Sequence, residues 1–541
     1  MVKPEWKIQV KGQGLSVNEI FSKFWRERGI SNPVEFLSPD YYSILPSTDL
    51  KNIKQAAETF LKNLKDQKNI LVYADVDTDG CSSAAIIKGY IDRLGYDASV
   101  CINSGKVHGI DLNVLEQYCF DLLIVVDSIN DDPDIYEKLL NAGKEIIVLD
   151  HHIPNQDILE ISDKINLVSS AVDYANPNLS GSGVCWKFVR YIDEITGNNF
   201  ADDFTDLAAT GIIADVCSVG CDSMENRAIC NIGFRMINNV GLRSIVGKDT
   251  MNSTDIGFSV GPLINSANRM NENNLALELF LTSNSSRSKE IIKQLTKLKD
   301  QQKKKTAEIV EKIENEQLNN QINNKCYYFF ITDDCENLSG LIATKLSAQY
   351  HRPVLVLHEG NDRYSGSMRA EGVENFRKII NESGIAECEG HPNSAGVSIK
   401  KEDFKSFTLY IKEQLDNYTF TTDTAVDISI DRSQVTPFIL DKVKEINRIS
   451  GAEFSPVTFI IENVTDYEVT KMSQGKHLCI KVPDMKFIKW NFMDWEKIPE
   501  TDGKLSFIGT LEESYFAGKK SVNMFIDDFV SEKRATRNLF W

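Results

Sequence analysis

The stretch Ile70-Leu71-Val72-Tyr73-Ala74-Asp75-Val76-Asp77-Thr78-Asp79-Gly80 decides the fold. Five consecutive apolar residues, β-branched and aromatic among them, read as a short strand buried on both faces. The polar turn that follows leads into a helical pattern from Ser82 to Leu94. On the other side, Leu50, Ile53, Ala57, Phe60, Leu61 and Leu64 recur at helical spacing behind Ser47-Thr48-Asp49, a suitable cap. The same strand signature returns at Leu122–Val126 and Ile146–Leu149, separated by a helical stretch from Asp134 to Ala142. Strands alternating with helices predict an α/β lobe with a mostly parallel sheet covered on both faces.

The pattern then changes. From Ser288 to Leu318, Ile291, Leu295, Leu298, Ile309 and Ile313 stay near one helical face around the basic run Lys303-Lys304-Lys305, which predicts a linker helix. A second α/β unit opens at Tyr327-Tyr328-Phe329-Phe330-Ile331 and runs to about Gln414. Beyond it, short strand runs at Val457–Ile461, His477–Val482 and Leu505–Leu511, with Gly475, Gly503 and Gly518 between them, suggest a small β-barrel. At ~100 to 200 residues per domain, a chain of 541 residues holds several domains. The expected division is 1–285 for the first lobe with an N-terminal extension, 286–320 for the linker helix, 321–418 for the second lobe, 419–535 for the barrel and 536–541 for a tail.

Composition bounds the function. The 78 acidic against 60 basic residues leave a net charge of −18, which argues against coating nucleic acid by bulk attraction and confines any such contact to local basic patches. Eleven cysteines without a C-x-x-C pair read as reduced, mostly buried thiols and not as a disulfide framework or a zinc site. No apolar run is long enough to span a bilayer and the first residues lack a signal-peptide core, so the expected location is the cytoplasm, away from membranes.

The chemistry lies where the strands end. The first run stops at Asp75-Val76-Asp77-Thr78-Asp79-Gly80, the second at Asp127 and the third at Asp150-His151-His152. In an open parallel sheet ligands collect beyond the carboxyl ends of the strands, so these clusters are expected to converge. Crowded carboxylates need cations, and an oxygen-rich set with histidine suits manganese or magnesium. Two such ions activate water and stabilise a leaving phosphate oxygen, which is phosphoester hydrolysis. A calcium loop of the EF-hand type would need Glu at its twelfth position, where this sequence has Ile86.

These residues resemble the DHH phosphoesterase family, whose name is read here in Asp150-His151-His152. Asp75 to Gly80 is similar to its first motif, Val125-Val126-Asp127 to its second and Asp206 to Asp215 to its fourth. The resemblance implies that Asp75, Asp77, Asp79, Asp127, His151 and Asp215 hold two divalent metal ions, manganese before magnesium, with Asp127 bridging. It also implies that His152 assists catalysis at the scissile phosphate. Ala74, and Ser128-Ile129 after Asp127, depart from the glycines usual in the RecJ branch.

Downstream, Gly261 to Met270 is similar to a RecJ-type stretch, with Leu263 and Asn268 as departures. The Gly340-Leu341-Ile342-Ala343, Arg352-Pro353, Gly366-Ser367-Met368-Arg369 and Gly390-His391-Pro392 segments resemble the DHH-associated domain, with Glu389 in place of a glycine. The region from about Gly451 to Val530 resembles an OB-fold. The resemblance implies that Arg269 contacts the backbone of a single DNA strand, that Ser367 and Arg369 hold its 5′ phosphate, that His391 closes over the metals and that Lys106 adds a basic contact. The implied activity is 5′-to-3′ single-stranded-DNA exonuclease in repair or recombination, releasing 5′ mononucleotides. The alternatives are a phosphodiesterase of short RNA or cyclic dinucleotides, and a non-catalytic replication scaffold. The apolar ending Arg537-Asn538-Leu539-Phe540-Trp541 offers a docking point for a single-strand-binding protein or helicase.

Overall fold

The computed structural model describes residues 6–103, 109–321, 324–416, 418, 420, 424–492, 495, 498, 503–516 and 519–532. Strand β1 (Trp6–Lys11) comes first in the chain, and the first lobe follows with β2 (Ile70–Ala74), β3 (Ser99–Ile102), β4 (Leu122–Val126), β5 (Glu145–Asp150) and β6 (Leu167–Ser169). These five pair in the order β3-β2-β4-β5-β6, every pair parallel. Alternation along each strand sends side chains to opposite faces. Val72, Ile124 and Ile147 therefore enter one core, while Tyr73, Val125 and Val148 enter another. Ala74 stands opposite Val126 and Val126 opposite Leu149, so the strands finish in line. Asp75, Asp127 and Asp150 consequently emerge at one edge of the sheet.

The linker helix Ser285–Glu316 leaves the first lobe with Ile291 and Leu295 in its core, and carries Val310 and Ile313 into the core of the second. That lobe holds β7 (Tyr327–Ile331), β8 (Val354–Glu359), β9 (Arg363–Arg369), β10 (Ala386–His391) and β11 (Ser394–Lys400), ordered β10-β11-β9-β8-β7. Only the β7–β8 pair is parallel among the described strands of this sheet. The C-terminal sheet contains β12 (Thr424–Ser429), β13 (Phe459–Val464), β14 (Glu468–Met472), β15 (His477–Lys481), β16 (Met485–Lys489), β17 (Lys504–Phe516) and β18 (Lys519–Glu532).

Strand β1 joins this last sheet, parallel to β12, and the Trp6 indole donates to Asp528 at 3.0 Å. Arg28 then forms two hydrogen bonds to Asp427, at 2.7 and 2.8 Å. The N-terminal extension is thus a strap between the first lobe and the C-terminal sheet, a pairing of distant segments that local pattern does not encode. Among the described residues no helix is long and apolar enough to cross a membrane.

Beneath the first lobe, Lys187 and Glu225 form a fully buried ion pair at 2.8 Å. Glu225 also accepts from the Tyr174 hydroxyl at 2.8 Å, the Asn176 amide at 3.1 Å and the Leu45 backbone N–H at 3.2 Å. Burial holds the Lys187 ammonium below its usual range while Glu225 opposes that shift. Removing one partner strands the other charge in a dry interior, so Glu225→Ala is expected to cost about 3 to 5 kcal/mol. Denaturant unfolding of the first lobe measures this, and the Lys187→Met/Glu225→Leu pair is expected to recover most of the loss.

Candidate metal centre

Asp75 and Asp77 leave β2, Asp127 leaves β4, and β5 ends in Asp150 before His151 and His152. Asp215 caps the carboxyl end of the helix Thr205–Ala214. Potential ligand atoms lie within 4.8 Å of one another in three overlapping sets: Asp75, Asp77 and Asp127; Asp127, Asp150, His151 and His152; His151, Asp215 and Cys217. His151 Nε2 joins the sets, 3.2 Å from Asp127 Oδ1 and 3.6 Å from Asp215 Oδ2. Asp75, Asp77, Asp127, His151 and Asp215 are therefore brought together.

Two of these atoms, Asp127 Oδ1 and His151 Nε2, are buried without a hydrogen-bond partner. Buried polar atoms are ordinarily satisfied, and a cation bound by oxygen and imidazole nitrogen would satisfy both. The donor set fits a divalent ion. Asp127 also holds a left-handed backbone, φ 54°, a strained conformation of the kind found at functional sites. Helix Gly181–Thr196 starts against it, where a side chain at Gly181 would come within 2.5 Å of Asp127 Oδ1.

Asp79 stands apart. Its buried carboxylate accepts the Gly181 and Ser182 N–H groups at 2.8 and 3.1 Å, and so anchors the start of that helix. Asp75 and Asp77 lie two residues apart in extended chain, but the helix Thr78–Arg93 has begun by Asp79. Helical rotation replaces alternation there, and Asp79 meets the start of the helix Gly181–Thr196.

Two residues absent from the expected site set take part in it. Asp150 is fully buried and accepts from the His151 and His152 N–H groups at 2.6 and 2.8 Å, from the Ile129 N–H at 2.6 Å, and pairs with His152 Nδ1 at 2.7 Å. Burial opposes the Asp150 charge, but His152 and His151 outweigh it and hold the carboxyl well below the usual range. Burial likewise opposes protonation of His152, while Asp150 outweighs it and pushes the imidazole up to about 9. The motif triplet carried the signal for Asp150. Cys217 Sγ lies 3.6 Å from Asp215 Oδ2, and burial followed by Asp215 raises its thiol far above the ordinary range. Nothing in the sequence around Cys217 distinguished it.

Across the cleft, Ser367 shares a hydrogen bond with Ser339 at 2.9 Å, and Arg369 donates to Thr344 at 3.1 Å. Burial, then Arg369, depresses the Arg269 guanidinium, so these two cations from different lobes approach each other. His391 ends β10 and is exposed; among the described residues it makes no hydrogen bond or ion pair with the carboxylate cluster. Gly390 before it and Ile153 after His152 line one cleft between the lobes. Lys106 lies outside the described residues.

Residues 69–212 match the DHH family, N-terminal domain, and residues 426–528 match the RecJ OB domain. The chain is 27% identical over 550 residues to a Bacillus subtilis protein provisionally named an SPbeta prophage-derived single-strand DNA-specific exonuclease, YorK, covering 92% of this chain and 93% of that one. It is 23% identical to the single-stranded-DNA-specific exonuclease RecJ of Bacillus subtilis, over 89% of this chain and 63% of the relative. RecJ of Thermus thermophilus solved with Mn2+ superimposes with a TM-score of 0.79 at 22% identity, over 98% of this chain and 80% of that one.

Burial, reinforced by Asp75 and Asp79, pushes Asp77 up to about 8, and burial with Asp79 and Asp77 raises Asp127 well above the carboxylate range. Folded-state values above the unfolded ones give stability that is complete at low pH and lost as pH rises through the folded values. With metal chelated, the melting temperature is expected to fall as pH rises from about 4 to about 8. Stabilisation by added manganese is expected to grow over the same range, and a flat profile in both titrations would contradict this electrostatic account. In its matched domains, the order of its strand-end motifs and its lobed architecture, the chain is similar to DHH-family proteins of the RecJ type.

Proposed function

We propose that the protein is a metal-dependent 5′-to-3′ exonuclease of single-stranded DNA, acting in repair or recombination and releasing 5′ mononucleotides. The observation that carries this reading is the convergence of Asp75, Asp77, Asp127, His151 and Asp215, with two orphaned ligand atoms. The substrate comes from the named relatives and from the matched OB domain, a fold that binds single strands. Two manganese or magnesium ions would supply Lewis-acid charge and lower the pKa of water.

The rest is the work of side chains. Asp127 belongs both to the set with Asp75 and Asp77 and to the set with His151, and would hold both ions. His152, kept protonated by Asp150 near neutral pH, would hydrogen-bond a phosphate oxygen and deliver a proton to the departing sugar oxygen. Ser367 and Arg369 would take the terminal 5′ phosphate, where the planar guanidinium can bind two oxygens at once. Arg269 adds a contact from the opposite lobe.

Asp127→Asn is expected to lower manganese-dependent degradation by more than about 100-fold, beyond the loss typical of a group that only supports a ligand. Asp150→Asn is expected to cost about 10- to 100-fold while leaving manganese affinity nearly unchanged, since it orients His152. A strand labelled at its 5′ end is expected to release label at once as a mononucleotide, and one labelled at its 3′ end only late. Strong preference for a dinucleotide over a long 5′-phosphorylated strand would overturn the reading.

A further inference from the structure

The linker helix does more than join two lobes. Between it, the helix Gly261–Arg269 and the helix Ser339–Tyr350 lies a cavity of about 610 Å³, bounded on a fourth side by Ala214 and Val216, the neighbours of Asp215. Its volume suits a nucleotide. Lys299, Gln302, Lys303 and Thr306 of the linker helix line it, with Arg269 and Lys345 facing in from the two lobes. Spacings of three and four residues place those linker residues on one helical face, Lys299 and Lys303 one turn apart.

Two independent features of this wall call for a ligand. Among the described residues none of Lys299, Lys303, Lys345 and Arg269 forms an ion pair, whereas Lys304 and Lys305, on the same helix, pair with Glu308 and Asp334. In a chain of net charge −18, four unpaired cations around one cavity are an anion-binding arrangement. Burial, then Lys303, holds the Lys299 ammonium below its usual range, as expected of like charges gathered in one place. Secondly, Gln302 Oε1 and Thr306 Oγ1 are buried and have no hydrogen-bond partner. Gln302 is 7% and Thr306 9% exposed, so leaving them unmatched destabilises the free protein.

We propose that the linker helix is a wall of the nucleic-acid site: Lys299 and Lys303 take phosphates of a single strand beside the metal centre, and Gln302 and Thr306 hydrogen-bond to its nucleotides. A free phosphate would use the cations alone. A nucleotide segment uses the cations and the two neutral groups together, which is why a strand is the ligand assigned. The inference rests on the nuclease reading above and deepens it by adding a binding surface outside the motifs.

The test is fluorescence anisotropy with a labelled, 5′-phosphorylated oligothymidylate of about 20 nucleotides in chelator, so that binding is read without cleavage. Lys299→Ala/Lys303→Ala is expected to raise Kd about tenfold, with a log Kd against log salt slope shallower by about 0.7 for each lysine removed. Should that pair lose its cooperative melt, Lys299→Gln/Lys303→Gln repeats the measurement. Thr306→Val is expected to raise the melting temperature and yet weaken strand binding severalfold, a combination that a purely structural threonine would not produce. If the wild type binds and degrades the strand while these variants keep its Kd and slope, the inference is overturned and the nuclease reading stands. If the wild type neither binds nor degrades the strand, the nuclease reading itself fails.

Discussion

Mutual repulsion among carboxylates at the end of a buried parallel sheet is the constraint on which the rest of the structure depends. Five aspartates and two histidines gather in three overlapping sets, and Asp127 and Asp150 among them are buried from water. Close like charges in a low-dielectric interior are strongly unfavourable. The fold offsets part of this with its own dipoles: two backbone N–H groups at the start of the helix Gly181–Thr196 point at Asp79. His152 offsets the charge of Asp150. The remainder is left for bound cations, which makes the centre a metal site before it is anything more specific.

The same constraint explains the division between the lobes. Acidic residues gather on the sheet edge, while cations stand on other elements: Arg269 at the end of its helix, Arg369 at the end of β9, and the lysines of the linker. Held on separate elements, the two sets do not neutralise each other, and a polyanion can bridge them. The surplus of acidic residues over the whole chain is compatible with this because screening in salt limits each charge to its surroundings.

The C-terminal sheet reaches back to the centre through a short route. Arg227 is buried between the rings of Phe36 and Phe454 and donates to the carbonyls of Phe36, Val219 and Ile449. Val219 lies four residues beyond Asp215, and its N–H donates to Ala452 at 3.1 Å. The loop that follows Asp215 is thus held by the N-terminal strap and by the segment leading into the C-terminal sheet. Stacking of Arg227 on two aromatic faces compensates, without a carboxylate, for removing its charge from water.

Local chemistry made much of this protein legible in its sequence. Buried-strand runs followed by acidic turns specified the parallel sheet and the end at which the clusters beginning at Asp75, Asp127 and Asp150 gather, because strand alternation and strand ends are properties of neighbouring residues. The helical face of the linker was legible for the same reason. What the residues alone did not decide were relations between segments far apart in the chain. The parallel pairing of β1 with β12, the capture of Asp79 by Gly181 and Ser182, the nearness of Cys217 to Asp215 and the convergence of Arg269 with the linker lysines each depend on how helices and lobes pack. Periodicity says which face of an element is buried. Only the packed tertiary structure says what it is buried against, because that choice is made by the summed fit of many side chains rather than by any one stretch.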